Sequence, residues 1–134
     1  MIVVDSNVIA YCWIRGPLTP VAQQLRIADP DWHVPILWRS ELRSILTGYL
    51  RTESLEPIHA RRIMAATEAA LAGREHLIDS DAVIDVVQGT KLSAYDAEFV
   101  ALARTMSAPL VTADRAILRA AGDVARTMGD QLAK

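Results

Sequence analysis

The chain lacks most of the residues that anchor the common cofactor and disulfide classes. It has one cysteine, Cys12, so no internal disulfide can form, and no Cys/His cluster offers a zinc site. A reducing cytoplasm fits that usage. No run approaches the roughly 18 apolar residues of a membrane span, and no basic segment precedes the first apolar run. Neither a span nor a signal peptide is therefore expected. No G-x-G-x-x-G follows a strand and there is no P-loop, which removes dinucleotide and nucleoside-triphosphate binding of the usual kinds. Lys91 and Lys134 are the only lysines. A phosphoacceptor signalling domain needs a lysine after a late strand and an aspartate after a mid-chain one, so that class is excluded too. There is no basic surplus, with 14 Lys and Arg against 16 Asp and Glu and a net charge of −2. Any nucleic-acid surface must then be local.

What the chain does have is an ordinary globular balance, 51% hydrophobic and 22% charged over 134 residues. That length supports one domain, 1–134, with a core of its own. The organising stretch is Ile2-Val3-Val4-Asp5-Ser6-Asn7-Val8-Ile9. Its short β-branched run reads as a strand buried on both faces of a parallel sheet. Asp5 then stands where the strand ends and a helix begins, the edge at which open α/β sheets bind ligands.

Further along, apolar residues continue in helical style over 8–14, and Arg15-Gly16-Pro17 breaks the run. Thr19-Pro20 reads as an N-cap followed by proline at the first helical position. Strands are expected at 32–36, 76–78, 109–112 and, as an edge, 124–127. Helices are expected at 37–50, from 57 to about 72, at 81–87 behind a Ser80 cap, from Ser93 onward, and at 115–121. A polar tail closes the chain at 129–134. Strands alternating with helices mean crossover connections and a mainly parallel sheet covered on both sides.

Four carboxylates sit in unusual places. Asp5 and Asp114 each follow an apolar strand, and parallel strands put their C-terminal ends on one edge. Glu41 lies along an apolar stripe, with Leu37 one turn before it and Ile45 one turn after. Asp96 has Leu92 behind it and Phe99 and Val100 ahead. Core-facing acids are unusual unless paired or bound to metal. Local roles also exist for each: N-caps for Asp5 and Asp114, a capping box from Ser93 to Asp96, an arginine partner for Glu41. If the four converge, their repulsion must raise pKa values or draw in a cation. Oxygen donors without His or Cys favour Mg2+ or Mn2+, and such ions suit phosphodiester hydrolysis.

Val3-Val4-Asp5-Ser6-Asn7-Val8, a mid-helix Glu41, Tyr95-Asp96-Ala97 with Ala101-Leu102-Ala103, and Pro109-Leu110-Val111-Thr112-Ala113-Asp114 resemble the acidic motifs of PIN-domain nucleases. Size, order and spacing look most like VapC-type ribonuclease toxins. The resemblance implies an α/β PIN-like fold whose first strand is central, and Mg2+- or Mn2+-dependent cleavage of RNA. It implies Asp5 and Asp96 as metal ligands, Glu41 and Asp114 completing the acidic pocket, and Asn7 and Thr112 in support. It also implies a homodimer held inactive by a cognate antitoxin. The alternative is a PIN-like module that binds a protein or RNA partner without turnover.

Arg15, Lys91 and Arg115 fall near the active edge and are candidates for RNA contact. His33, His59 and His76 read as isolated from one another. Arg39 and Arg43 read as a solvated face that could also grip phosphates or an antitoxin, and Trp13 and Trp38 as core or interface.

Overall fold

Alternation along the first strand decides which layer each side chain joins. In the computed structural model, which describes residues 1–134, β1 (Ile2–Val4) is fully buried. Ile2 and Val4 pack on one face with α1 (Ser6–Trp13), α2 (Thr19–Ala28), α3 (Trp38–Arg51) and α4 (Pro57–Ala70). Val3 packs on the other with α5 (Ser80–Gly89), α6 (Ala94–Met106) and α7 (Arg115–Ala120). Each such aliphatic side chain is worth roughly 1.5–3 kcal/mol when fully buried. A slip of one residue would exchange the two faces.

The remaining strands are β2 (Trp32–Pro35), β3 (Glu75–His76), β4 (Leu110–Val111) and β5 (Ala125–Arg126). Their order is β3-β2-β1-β4-β5, with every pairing parallel. The first strand is thus central, between β2 and β4. Val3 pairs with Leu110 and Val4 with Val111, so the residues following both strands emerge side by side at one edge.

Several local expectations need correction. Thr19 is the first residue of α2 rather than its cap; Leu18 caps without a side-chain bond. The Thr19 hydroxyl instead donates to the Tyr11 carbonyl at 2.7 Å, tying α2 to α1. Asp79, not Ser80, caps α5, accepting the Ala82 N–H at 3.2 Å. The third strand lies at Glu75–His76 rather than 76–78, and Leu77 beyond it is exposed. The polar tail is a short helix, α8 (Met128–Leu132), capped by Thr127 through the Asp130 N–H. Met128 buries into the first core layer, which is tertiary packing that polar composition does not display.

The isolation of His33 from His76 and the solvated reading of Arg39 do not hold, whereas His59 is exposed as expected. His33 Nδ1 lies 2.9 Å from His76 Nε2, and His33 Nε2 lies 2.9 Å from Asp31. The parallel pairing of β2 with β3 brings the two rings together across 43 residues. Burial and the neighbouring His33 lower the His76 pKa. Arg39 is not a free cation, because its Nε and Nη2 both donate to Glu75 at 2.7 Å. Trp38 Nε1 donates to the same carboxylate at 2.9 Å, and the ring itself is fully buried. Glu75 therefore pins the sheet edge to the start of α3, the helix that carries Glu41.

Replacing Glu75 by alanine leaves Trp38 Nε1 and Arg39 Nε and Nη2 without their acceptor in a half-buried setting, with only the 3.5 Å contact of Arg39 Nη1 to Glu68 remaining. The expected loss is about 1–3 kcal/mol, read as a lower urea midpoint, with Glu75→Gln losing less because it keeps an acceptor. An unchanged midpoint in Glu75→Ala would show that this edge is not held as described.

Candidate acidic site

Asp5 is the first residue beyond β1, and the strand ladder fixes its backbone: its N–H donates to the Val111 carbonyl at 3.0 Å. Its extended conformation places it as the N-cap of α1, where Oδ1 accepts the Ser6 N–H at 2.8 Å. The other oxygen, Oδ2, accepts the Thr112 hydroxyl at 2.7 Å. Thr112 is wholly buried, and its oxygen in turn accepts the Asp114 N–H at 3.0 Å. One threonine thus links the carboxylate after β1 to the backbone of the acid after β4. Asp114 caps α7, accepting the Ala116 and Ile117 N–H groups at 2.8 and 3.2 Å.

The Glu41 carboxylate accepts the Ser6 hydroxyl at 2.7 Å, so its partner is a serine rather than an arginine. Glu41 lies in the first turn of α3 and not mid-helix, a position that favours a carboxylate through the helix dipole. Asp96 lies in the first turn of α6, where its N–H donates to Ser93 Oγ at 3.1 Å. Only this half of the expected capping box forms. The local roles and a shared role therefore coexist: Asp5 and Asp114 each cap a helix, yet all four acids line one cavity.

That cavity has a volume of about 320 Å³ and is walled by Asp5, Ser6, Asn7, Glu41, Asp96 and Asp114, with Ser44 and Ile45 at its side. It is not the largest: a cavity of about 640 Å³ lies beside α1 and α2, lined by Cys12, Trp13 and Arg26 among others. Chemistry rather than size distinguishes the acidic one. Burial, reinforced by Glu41 and Asp96, raises the Asp5 pKa from 3.8 to about 6 against the lowering pull of Thr112 and Ser6. Burial and then Asp96 raise Glu41, and burial and then Asp114 raise Asp96. The four acids form one electrostatic unit.

The donor set suits a hard divalent cation. It is oxygen-only, its carboxylates repel one another, and Asn7 Oδ1 is buried beside them without a hydrogen-bond partner. The four stand around a space rather than around a point, and no three of them form a ready-made metal cage. A hard divalent cation held by one or two of these carboxylates would complete its shell with water or a substrate oxygen.

Two lining residues and one acidic neighbour of Glu41 escaped the sequence reading. Ser6 and Ser44 are small polar residues without a periodic signal, although Ser6 stands inside the first motif. Glu98 is raised by burial and by Glu41. It lies two residues beyond Asp96, so helical spacing puts it on another face. The cationic candidates stay outside the acidic wall. Arg15 lines a neighbouring cleft, Lys91 a cavity of about 400 Å³ together with Arg119, and Arg115 is exposed directly after Asp114. None of these four forms an ion pair within the protein.

The raised Asp5 pKa makes the site a burden on the fold. The contribution of Asp5 to stability is most favourable below the ordinary value of 3.8 and falls as pH climbs from there to about 6, by roughly 3 kcal/mol at neutral pH. In metal-free buffer Asp5→Asn should melt above the wild type at pH 8, with the gap closing toward pH 4. Equal melting temperatures across that range would contradict the electrostatics described.

Comparison with known proteins agrees with this architecture. The description of the PIN domain fits residues 2–123. No curated protein sequence matches the chain. Among solved structures, a chain of FitAB bound to an IR36 DNA fragment superposes with a TM-score of 0.71 at 19% identity, covering 96% of this chain and 95% of that one. A chain of FitAcB from Neisseria gonorrhoeae gives 0.72 at 19% identity, covering 96% and 99%. At that identity the likeness concerns the fold. With the family match over nearly the whole length and the four acids gathered at the C-terminal edge of a parallel sheet, the chain belongs to the PIN-domain family.

Proposed function

We propose that the protein is a metal-dependent endoribonuclease, the VapC-type toxin of a type II toxin–antitoxin pair, that hydrolyses RNA phosphodiester bonds in the acidic cavity. The observation that carries this reading is the convergence of Asp5, Glu41, Asp96 and Asp114, from four separate elements, on one cavity where their charges oppose one another. A cation bound there supplies Lewis-acid polarisation of the scissile phosphate and activation of water.

Asp5 and Asp96 are the proposed ligands for Mg2+ or Mn2+, with Glu41 and Asp114 completing the shell directly or through water. Thr112 holds one oxygen of Asp5, and Ser6 holds one oxygen of Glu41, so the carboxylates are oriented before any ion arrives. Asn7 Oδ1 adds an uncommitted acceptor. Arg15, Lys91 and Arg115, exposed and without ion pairs, are the proposed contacts for RNA phosphates. A cytoplasmic homodimer with a cognate antitoxin completes the proposal. The likeness to chains solved as FitAB on DNA supports a protein that works within a DNA-bound assembly. No helix is long and apolar enough to cross a membrane.

A second reading is a module that binds RNA or protein without turnover, and one feature favours it: the acids do not close on a single point. Catalysis decides between them. Wild-type protein should cleave RNA with Mg2+ or Mn2+ and lose that activity in excess chelator. Asp5→Asn and Asp96→Asn should each abolish cleavage while far-ultraviolet circular dichroism stays native. Full activity in either variant would remove the site from the reaction. Millimolar Mn2+ should also raise the melting temperature of the wild type, since a ligand at 100 times its Kd adds about 2.7 kcal/mol. An indifferent melting curve would leave the binding module as the better reading.

A further inference from the structure

The acidic cavity does not end at its carboxylates. Asn7 and Ile45 line it, and the same two residues line a second cleft of about 360 Å³. The floor and walls of that cleft are mostly apolar, built from Ala10, Ile14 and Leu18 with Tyr11 and Tyr49. Arg15 stands among them, exposed and without an ion pair. Tyr49 is 42% exposed, unusual for a large side chain in the helix whose neighbours Leu42 and Leu46 are buried. An apolar, tyrosine-bearing cleft that shares two residues with a highly charged cavity suits an occupant that is itself divided in this way.

We propose that this cleft receives one unstacked nucleobase of the RNA, next to the phosphate that is cleaved, and that Tyr11 and Tyr49 provide its aromatic surface. The proposal rests on the ribonuclease reading of the adjoining cavity and extends it to the form of the substrate. A nucleotide joins a flat apolar base to a charged phosphate. The apolar cleft, with the free cation Arg15 in its lining, and the acidic cavity, joined to it at Asn7 and Ile45, supply surfaces for those parts side by side. The volume lies within the range of small-molecule sites, and aromatic side chains bind bases of any identity through their faces. A base already stacked in a duplex cannot enter the cleft. Tyr49 is a positioning residue in this account, since it touches the base and not the reacting atoms.

The test pairs the protein with its missing surface. A short single-stranded RNA, cleaved by the wild type at a mapped linkage, is compared with the same RNA carrying an abasic residue on either side of that linkage. Direct binding is measured in parallel by fluorescence anisotropy, without divalent metal, for both RNAs and for a duplex. In the wild type, one abasic substitution should weaken binding roughly ten-fold and raise KM more than it lowers kcat. Tyr49→Phe should behave as the wild type. Tyr49→Ala should bind the intact RNA as weakly as the wild type binds the abasic one, and should no longer distinguish the two.

If wild type and Tyr49→Ala discriminate against the abasic RNA equally, the cleft does not hold a base and the inference falls. Indifference of RNA binding to Tyr49→Ala and to both abasic positions has the same consequence and would point to a polypeptide occupant instead. If no RNA is cleaved, so that no linkage can be mapped, abasic residues are scanned along the strand in the binding arm. Discrimination that is lost in Tyr49→Ala then upholds the base site while the nuclease reading fails.

Discussion

The hydrogen bond from the Thr112 hydroxyl to Asp5 carries more of this structure than its single line of contact suggests. It closes the two central strands at their C-terminal ends, where the ladder has just run out. It satisfies one oxygen of a carboxylate that is almost completely buried, and it orders the start of α7 through the Asp114 N–H. Without it, a charged group at the end of an apolar strand would face a low-dielectric interior with a single helix N–H for company. With it, the charge is tolerated but not comfortable.

The distinction between tolerated and comfortable matters because the site could have been built otherwise. Elsewhere in the same molecule acids are paired with cations: Glu75 with Arg39, Asp123 with Arg104, Asp31 with Arg74. In each of those pairs the acid's pKa is lowered, first by its arginine. At the sheet edge the opposite holds, and Asp5, Glu41 and Asp96 receive hydroxyl or backbone donors while their pKa values rise. Fourteen cationic side chains are available in the sequence, yet none lines the acidic cavity. Where an acid elsewhere has an arginine against it, the charge is balanced locally; at the strand ends the acids have only hydroxyl and backbone donors and one another.

Much of this was legible in the chain before any coordinates. The β-branched run ending at Asp5 and the Pro109–Thr112 run ending near Asp114 needed only the rule that parallel strands share an edge, and β1 lies beside β4 as that rule requires. Glu41 was visible because an acid interrupts an apolar stripe. The failures share a cause. The His33–His76 pair, the Glu75 clamp on Trp38 and Arg39, and the approach of Glu41 to Glu98 all depend on which strands and helices become neighbours, and one-dimensional spacing does not encode that. The α8 helix failed for a related reason, because Thr127 and Met128 supply the cap and the buried anchor of a segment whose composition is otherwise polar.

The position of Glu41 shows how the layers cooperate. Its helix begins at Trp38, and the ring of Trp38 is locked by burial and by its bond to Glu75 at the sheet edge. Leu37, just before the helix, packs against the α5–α6 layer, whereas Leu42, Ile45 and Leu46 pack into the layer on the opposite side of the sheet. Glu41 therefore sits at the seam between the two cores, half-buried, where no apolar neighbour closes over it. A residue on that seam can face the strand ends without losing contact with water. The same seam leads past Ile45 into the apolar cleft, so one short stretch of α3 supplies a carboxylate to the acidic cavity and a wall to its neighbour. Shifting the start of that helix by one residue would rotate Glu41 by about 100° and move it off the seam, which is why the Glu75 clamp, remote from the acids, belongs to the architecture of the site.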